Sequence, residues 1–123
     1  MTAVRVLVVE DDPSVRGLLQ TLLESEGYAV TTASDGLGGL GQAAASSPAL
    51  VLLDLVMPDL GGVRVLDHLH DDPVLSRIPV IVLTGHEDAL PAVRARLGDD
   101  NVILKPFAVA ELLARIGAVT GGP

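Results

Sequence analysis

The chain has 123 residues, no cysteine and a net charge of −8 from 16 acidic and 8 basic side chains. That length suits one domain with its own hydrophobic core, and the lack of cysteine excludes disulfides, thiolate metal sites and cysteine nucleophiles. The negative charge, with Tyr28 and Phe107 as the only aromatic residues, argues against nucleic acid as a partner and leaves proteins and small ions.

Apolar and amphipathic segments alternate from one end to the other. Val4–Val9 is a β-branched run that reads as a strand. Asp12-Pro13 then opens a helix, with Asp as N-cap and Pro at the first helical position. Val15, Leu18, Leu19, Leu22 and Leu23 keep the helical period and Gly27 supplies the stop. Tyr28–Ala33 is a more polar strand, expected at a sheet edge. Asp35–Ser46 reads as a second helix despite Gly38, Gly39 and Gly41, each costing about 1 kcal/mol relative to Ala. Pro48 ends it.

Leu50–Leu53 is an uninterrupted apolar strand of the kind buried on both faces. A loop holding Pro58 and Gly61-Gly62 leads to a third helix marked by Val63, Leu66 and Leu69. Ile78–Leu83 is a fourth strand, Asp88–Leu97 a short helix, Val102–Leu104 a fifth strand, and Ala108–Val119 a last helix with Leu112, Leu113 and Ile116 on one face. The reading is a single domain over residues 1–120, with 121–123 as a tail or the start of a linker. No apolar run approaches the roughly 18 residues of a membrane span, and the N-terminus does not look like a secretory signal; the expected location is the cytoplasm.

Five βα units in succession imply an α/β fold: a flavodoxin-like doubly wound parallel sheet of order 2-1-3-4-5, (βα)5. Ligands of such sheets bind beyond the carboxyl ends of the strands, where the order reverses. Strand one ends in Glu10-Asp11-Asp12, strand three in Asp54, strand four in Thr84 and strand five in Lys105-Pro106. In that order these ends converge on one crevice. Carboxylates packed together repel unless a cation intervenes, and hard oxygen ligands suit Mg²⁺. Beside such an ion an Asp carboxylate is a competent nucleophile toward a phosphoryl group, a nearby ammonium neutralises charge on the phosphoryl oxygens, and a hydroxyl such as Thr84 can hydrogen-bond one of them. Lys105 is the only lysine in a chain that otherwise uses arginine.

Four segments, Val8-Val9-Glu10-Asp11-Asp12-Pro13, Leu52-Leu53-Asp54-Leu55-Val56-Met57-Pro58, Leu83-Thr84-Gly85 and Leu104-Lys105-Pro106-Phe107, resemble in order and spacing the motifs of CheY-like response-regulator receiver domains. The resemblance covers nearly the whole chain. It implies Asp54 as phosphoacceptor, a Mg²⁺ (or Mn²⁺) ion held by Asp11, Asp54, the backbone carbonyl of Val56 and, through water, Glu10, and Thr84 and Lys105 as sensors of the phosphoryl group. It also implies a cis Lys105-Pro106 bond and an influence of Val56 and His86 on the phosphoryl lifetime. The implied partners are a sensor histidine kinase or histidine phosphotransfer domain and a downstream output protein or fused output domain. The implied function is that of a signalling module in a two-component phosphorelay, which catalyses its own phosphorylation and dephosphorylation but is not an enzyme.

Three departures stand out. Val102 occupies a place often held by an aromatic switch residue, Gly61 one often held by Asp, Ser or Asn, and the stretch from Thr84 to Lys105 is one residue short. Val102 keeps a second reading open, a receiver-like domain that signals independently of phosphorylation or in an atypical way. A haloacid-dehalogenase-type phosphohydrolase would need a second Asp where Val56 stands, and a flavin-binding module would meet repulsion of its phosphate from Glu10-Asp11-Asp12. His68, His70, Asp71 and Asp72 do not read as a metal site, because residues two apart on a helix face different ways.

Overall fold

A computed structural model describes residues 3–54, 62–85, 90–97 and 101–123. The strands are β1 (Arg5–Val9), β2 (Ala29–Ala33), β3 (Leu50–Asp54), β4 (Val80–Thr84) and β5 (Val102–Leu104). The helices are α1 (Pro13–Ser25), α2 (Gly36–Ser46), α3 (Gly62–Asp71), α4 (Leu90–Leu97) and α5 (Val109–Thr120), with a 3₁₀ turn at Leu75–Arg77. All strand pairings are parallel and the order is β2-β1-β3-β4-β5, as the alternation of elements predicts.

The sheet is buried on both faces, and the period of two along each strand decides which side chain goes where. Leu7, Val9, Val51, Leu53, Val80 and Val82 pack with Ala43 of α2, with Val65, Leu66 and Leu69 of α3 and with Val93 of α4. The alternate residues Val6, Val8, Leu50, Leu52, Ile81, Leu83 and Ile103 pack with Leu19 and Leu23 of α1 and with Leu112 and Ile116 of α5. β1, β3 and β4 therefore carry continuous apolar runs, whereas β2 has a neighbour on one side only and keeps most of its residues half-buried. Val65 is fully buried although Leu66 and Leu69 mark the α3 face more plainly in the sequence; the side chain of Val63 lies outside the described residues.

Local chemistry starts and stops the helices as expected. The Asp12 carboxylate accepts from the Ser14 and Val15 amides at the head of α1, and Pro13 takes the first turn. Gly27, at φ 103°, turns the chain from α1 into β2. The Asp35 carboxylate caps α2 through Gly38 N. The 3₁₀ turn, not legible in the sequence, hangs on Asp72, whose carboxylate accepts from Val74 N at 2.8 Å and Leu75 N at 3.0 Å. Those bonds, Leu75's first, hold the Asp72 carboxyl below the usual range. Asp72 thus acts as a turn former. The Lys105-Pro106 bond is cis, as the resemblance implies.

The glycines of α2 are not equivalent. A Cβ on Gly39 would sit 2.8 Å and 3.0 Å from the two Val9 methyls, in the buried β1 strand, whereas one on Gly41 would meet nothing within 4 Å. Val9 is β-branched and stiff, so it cannot yield. Gly39→Ala is expected to destabilise the fold by on the order of 1 kcal/mol, overpacking outweighing helix propensity. Gly41→Ala is expected to stabilise it by up to about 1 kcal/mol. Urea unfolding of the two variants reads both signs.

Candidate functional site

The parallel register assembles the site. Val9 is the Cα partner of Leu53, so the residues that follow them, Glu10 and Asp54, leave neighbouring strands at the same level. Asp54 is in turn opposite Leu83, one residue before Thr84, and Thr84 is opposite Leu104, one residue before Lys105. The amide of Lys105 donates to the Thr84 carbonyl at 2.7 Å, tying the ends of β4 and β5 together. Residues separated by most of the chain thereby meet at one sheet edge.

Glu10, Asp11 and Asp54 each bring a carboxylate oxygen within 4.8 Å of the others. The Lys105 ammonium completes the group, with Nζ donating to Glu10 Oε1 and to Asp54 Oδ2, each at 3.2 Å. Exposure falls in order from Lys105 (29% of its side chain) through Asp54 (12%) to Glu10 (3%). Burial is the main reason that the Glu10 carboxyl is pushed up from 4.5 to about 8; the neighbouring Asp54 adds to it and Lys105 opposes it. Burial works against the Lys105 charge, but Asp54 and Glu10 outweigh it, holding the ammonium above its usual 10.5.

Two carboxylates and one ammonium do not use all the acceptors. Glu10 Oε2 is buried with no hydrogen-bond partner among the described residues, a costly state for a carboxylate oxygen. Three hard oxygen donors, an excess of negative charge and one orphaned buried oxygen fit a small divalent cation. The donor set does not suit a soft metal, since no cysteine is present.

Among the residues expected from the sequence, Glu10, Asp11, Asp54 and Lys105 come together. Thr84 stands fully buried at the end of β4, joined to Lys105 through its backbone. Val56 and His86 lie outside the described residues, as does Gly61. Arg16 was not anticipated: its guanidinium donates to the carbonyls of Glu10, at 2.9 Å, and Asp11, at 3.4 Å. Its only sequence signal is its place one turn beyond the Asp12 cap, which leaves a side chain able to fold back on the strand end.

Residues 6–117 match the family described as the response regulator receiver domain. The chain belongs to that family. It is 42% identical over 115 residues to the transcriptional regulatory protein CseB of Streptomyces coelicolor, covering 93% of this chain and 48% of CseB. This receiver domain thus spans about half the length of the curated relatives it matches. Among solved structures it resembles the chemotaxis response regulator CheY4 of Vibrio cholerae, with a TM-score of 0.85 at 27% identity, covering 96% of this chain and 99% of CheY4. The receiver domain of the sensor histidine kinase PA1611 from Pseudomonas aeruginosa, which holds a magnesium ion in its active-site cleft, aligns with a TM-score of 0.88 at 27% identity over 98% of this chain and 100% of its own. The acidic cluster is of the type through which receiver domains relay phosphoryl signals. Among the described residues, no helix is long and apolar enough to cross a membrane.

The raised Glu10 carboxyl sets a pH signature for the metal-free receiver domain. Between about 4.5 and about 8 the folded chain holds a proton that the unfolded chain has released, so stability falls as pH rises through that window and levels off above it. Urea midpoints measured in a chelator from pH 5 to pH 9 should show that decline, and Glu10→Gln should remove most of it. A midpoint that rises with pH across the window would contradict the assignment.

Proposed function

We propose that this receiver domain accepts a phosphoryl group on Asp54 in a two-component phosphorelay. The observation that carries the reading is the convergence of Glu10, Asp11 and Asp54 on one another beside Lys105. Glu10, Asp11 and Asp54 would hold Mg²⁺ or Mn²⁺, with the Val56 carbonyl as a further ligand by family resemblance. When bound, the ion would neutralise charge on the phosphoryl oxygens and on the carboxylates around them.

In the reaction an Asp54 carboxylate oxygen forms a bond to phosphorus as the bond from phosphorus to the donor breaks. The electron pair of that bond leaves with the donor atom, the imidazole nitrogen of a phosphohistidine or the carboxylate oxygen of acetyl phosphate. The product is an acyl phosphate on Asp54. Lys105, already within hydrogen-bond reach of the Asp54 carboxylate, would pair with the new phosphoryl oxygens, and the Thr84 hydroxyl would donate to one of them.

The donor protein would be a sensor histidine kinase or a histidine phosphotransfer domain, and the recipient of the signal an output protein or a fused output domain. The receiver unit is assigned to residues 1–120, with 121–123 as a tail or the start of a linker, and its location to the cytoplasm. Phosphoryl-Asp54 would favour one of two arrangements of the α4–β5–α5 face by drawing in Thr84 and Lys105. Val102 is half-buried against the core rather than an aromatic ring at the surface, which favours a switch carried by backbone and packing over a ring rotation. The same observation supports the second reading, in which signalling is independent of phosphorylation.

Incubation with acetyl phosphate and Mg²⁺, followed by intact-mass measurement, should show one added phosphoryl group. Asp54→Asn should abolish it, a chelator should prevent it, and base should remove it as expected for an acyl phosphate. A phosphoryl group retained by Asp54→Asn would refute the assignment.

A further inference from the structure

We propose that Arg16 is a positioning residue for the cation site, a donor clamp that holds the backbone from which the Glu10 and Asp11 carboxylates hang. The inference rests on the reading that those carboxylates take a divalent cation. β1 delivers the two acids at the point where the chain leaves the sheet: Glu10 N still donates to Ala33 O at 3.0 Å, and α1 begins at Pro13. The Nη1 group of Arg16 donates to the Glu10 carbonyl at 2.9 Å and the Asp11 carbonyl at 3.4 Å. Bonds from a charged donor are stronger than neutral ones.

The clamp has a fixed base. Arg16 lies in the first turn of α1, where its amide donates to the Asp12 carbonyl at 2.9 Å and where the Asp12 carboxylate is held by Ser14 N and Val15 N. Residues 10–16 therefore close on themselves twice, through the helix cap and through the guanidinium. Pinning the two carbonyls pins their peptide planes, and the planes set the direction of each Cα–Cβ bond. The half-buried Arg16 touches these two residues through their main chain, so its bonds act on the carboxylates by orienting the backbone that carries them.

The sign of the effect separates this role from simple electrostatics. As a bare positive charge near a cation site, Arg16 would repel the ion, and its removal would tighten binding. As a positioning residue it must do the opposite, since removing the partners that orient metal ligands typically weakens affinity about ten- to a hundredfold.

The test is isothermal titration of Mg²⁺ alone into the full chain, using the wild type, Arg16→Met, Arg16→Lys and Asp54→Asn. Arg16→Met should bind Mg²⁺ about tenfold more weakly, and Arg16→Lys should recover part of the loss. Phosphorylation of Arg16→Met by acetyl phosphate should be slow at low Mg²⁺ and return toward the wild-type rate at saturating Mg²⁺. Unchanged or tighter binding by a folded Arg16→Met protein would overturn the inference while leaving the cation site intact. If Arg16→Met does not fold, Arg16→Gln, which keeps a shorter neutral donor, decides: Mg²⁺ affinity equal to or above the wild type's in a folded Arg16→Gln protein would overturn the inference. A wild type that binds no Mg²⁺ would overturn the underlying reading and with it this one.

Discussion

The crowding of Glu10 and Asp54 at the same level of adjacent strands is the constraint to which the rest of the site responds. Two carboxylates in a half-desolvated crevice repel, and one of them, Glu10, has lost nearly all contact with solvent. The Lys105 ammonium offsets the repulsion by bridging both. The upward shift of the Glu10 carboxyl records its burial first and its closeness to Asp54 second. A receiver domain built this way carries clustered carboxyl groups beside one ammonium at the carboxyl edge of its sheet.

The sheet makes the crowding possible. With apolar side chains filling both faces of β1, β3 and β4, a shift of one residue would exchange the side chains of the two layers, so it is the fit of each Val and Leu in its own layer that holds the register. The same register that satisfies the two cores therefore places Glu10, Asp54 and Thr84 at the carboxyl edge. Burial of the hydrophobic faces supplies the driving force, and the polar edge is positioned as a consequence.

The elements around the site divide the work. α1 starts hard against it, with its cap, its proline and Arg16 all within one turn of Glu10 and Asp11. β4 and β5 meet at the Thr84–Lys105 backbone bond, so a displacement of either is transmitted to the other. Val102, three residues before Lys105, packs into the core layer that also holds Val82 and Val93. The contacts between β5 and α4 are thus apolar, in contrast to the charge pairs at the edge itself.

Much of this was legible without coordinates because the informative signals are local. The Asp12-Pro13 cap, the Gly27 stop, the apolar Leu50–Leu53 run and the alternation of strand with helix each report a nearby physical requirement. Strand order followed from that alternation, and the convergence of Glu10, Asp11, Asp54 and Lys105 followed from strand order. What the sequence could not report were the bonds that depend on how a segment turns back in space. Arg16 has no periodic or motif signal, and its bonds to the Glu10 and Asp11 carbonyls form only when the head of α1 folds against the end of β1. The capping of a 3₁₀ turn by Asp72 and the crowding of Gly39 against Val9 are of the same kind. Local propensity and hydrophobic period determined which segments form and which faces they bury; only the tertiary structure decided which polar atoms then lie within hydrogen-bond reach, because that depends on ångström-scale packing that no linear pattern encodes.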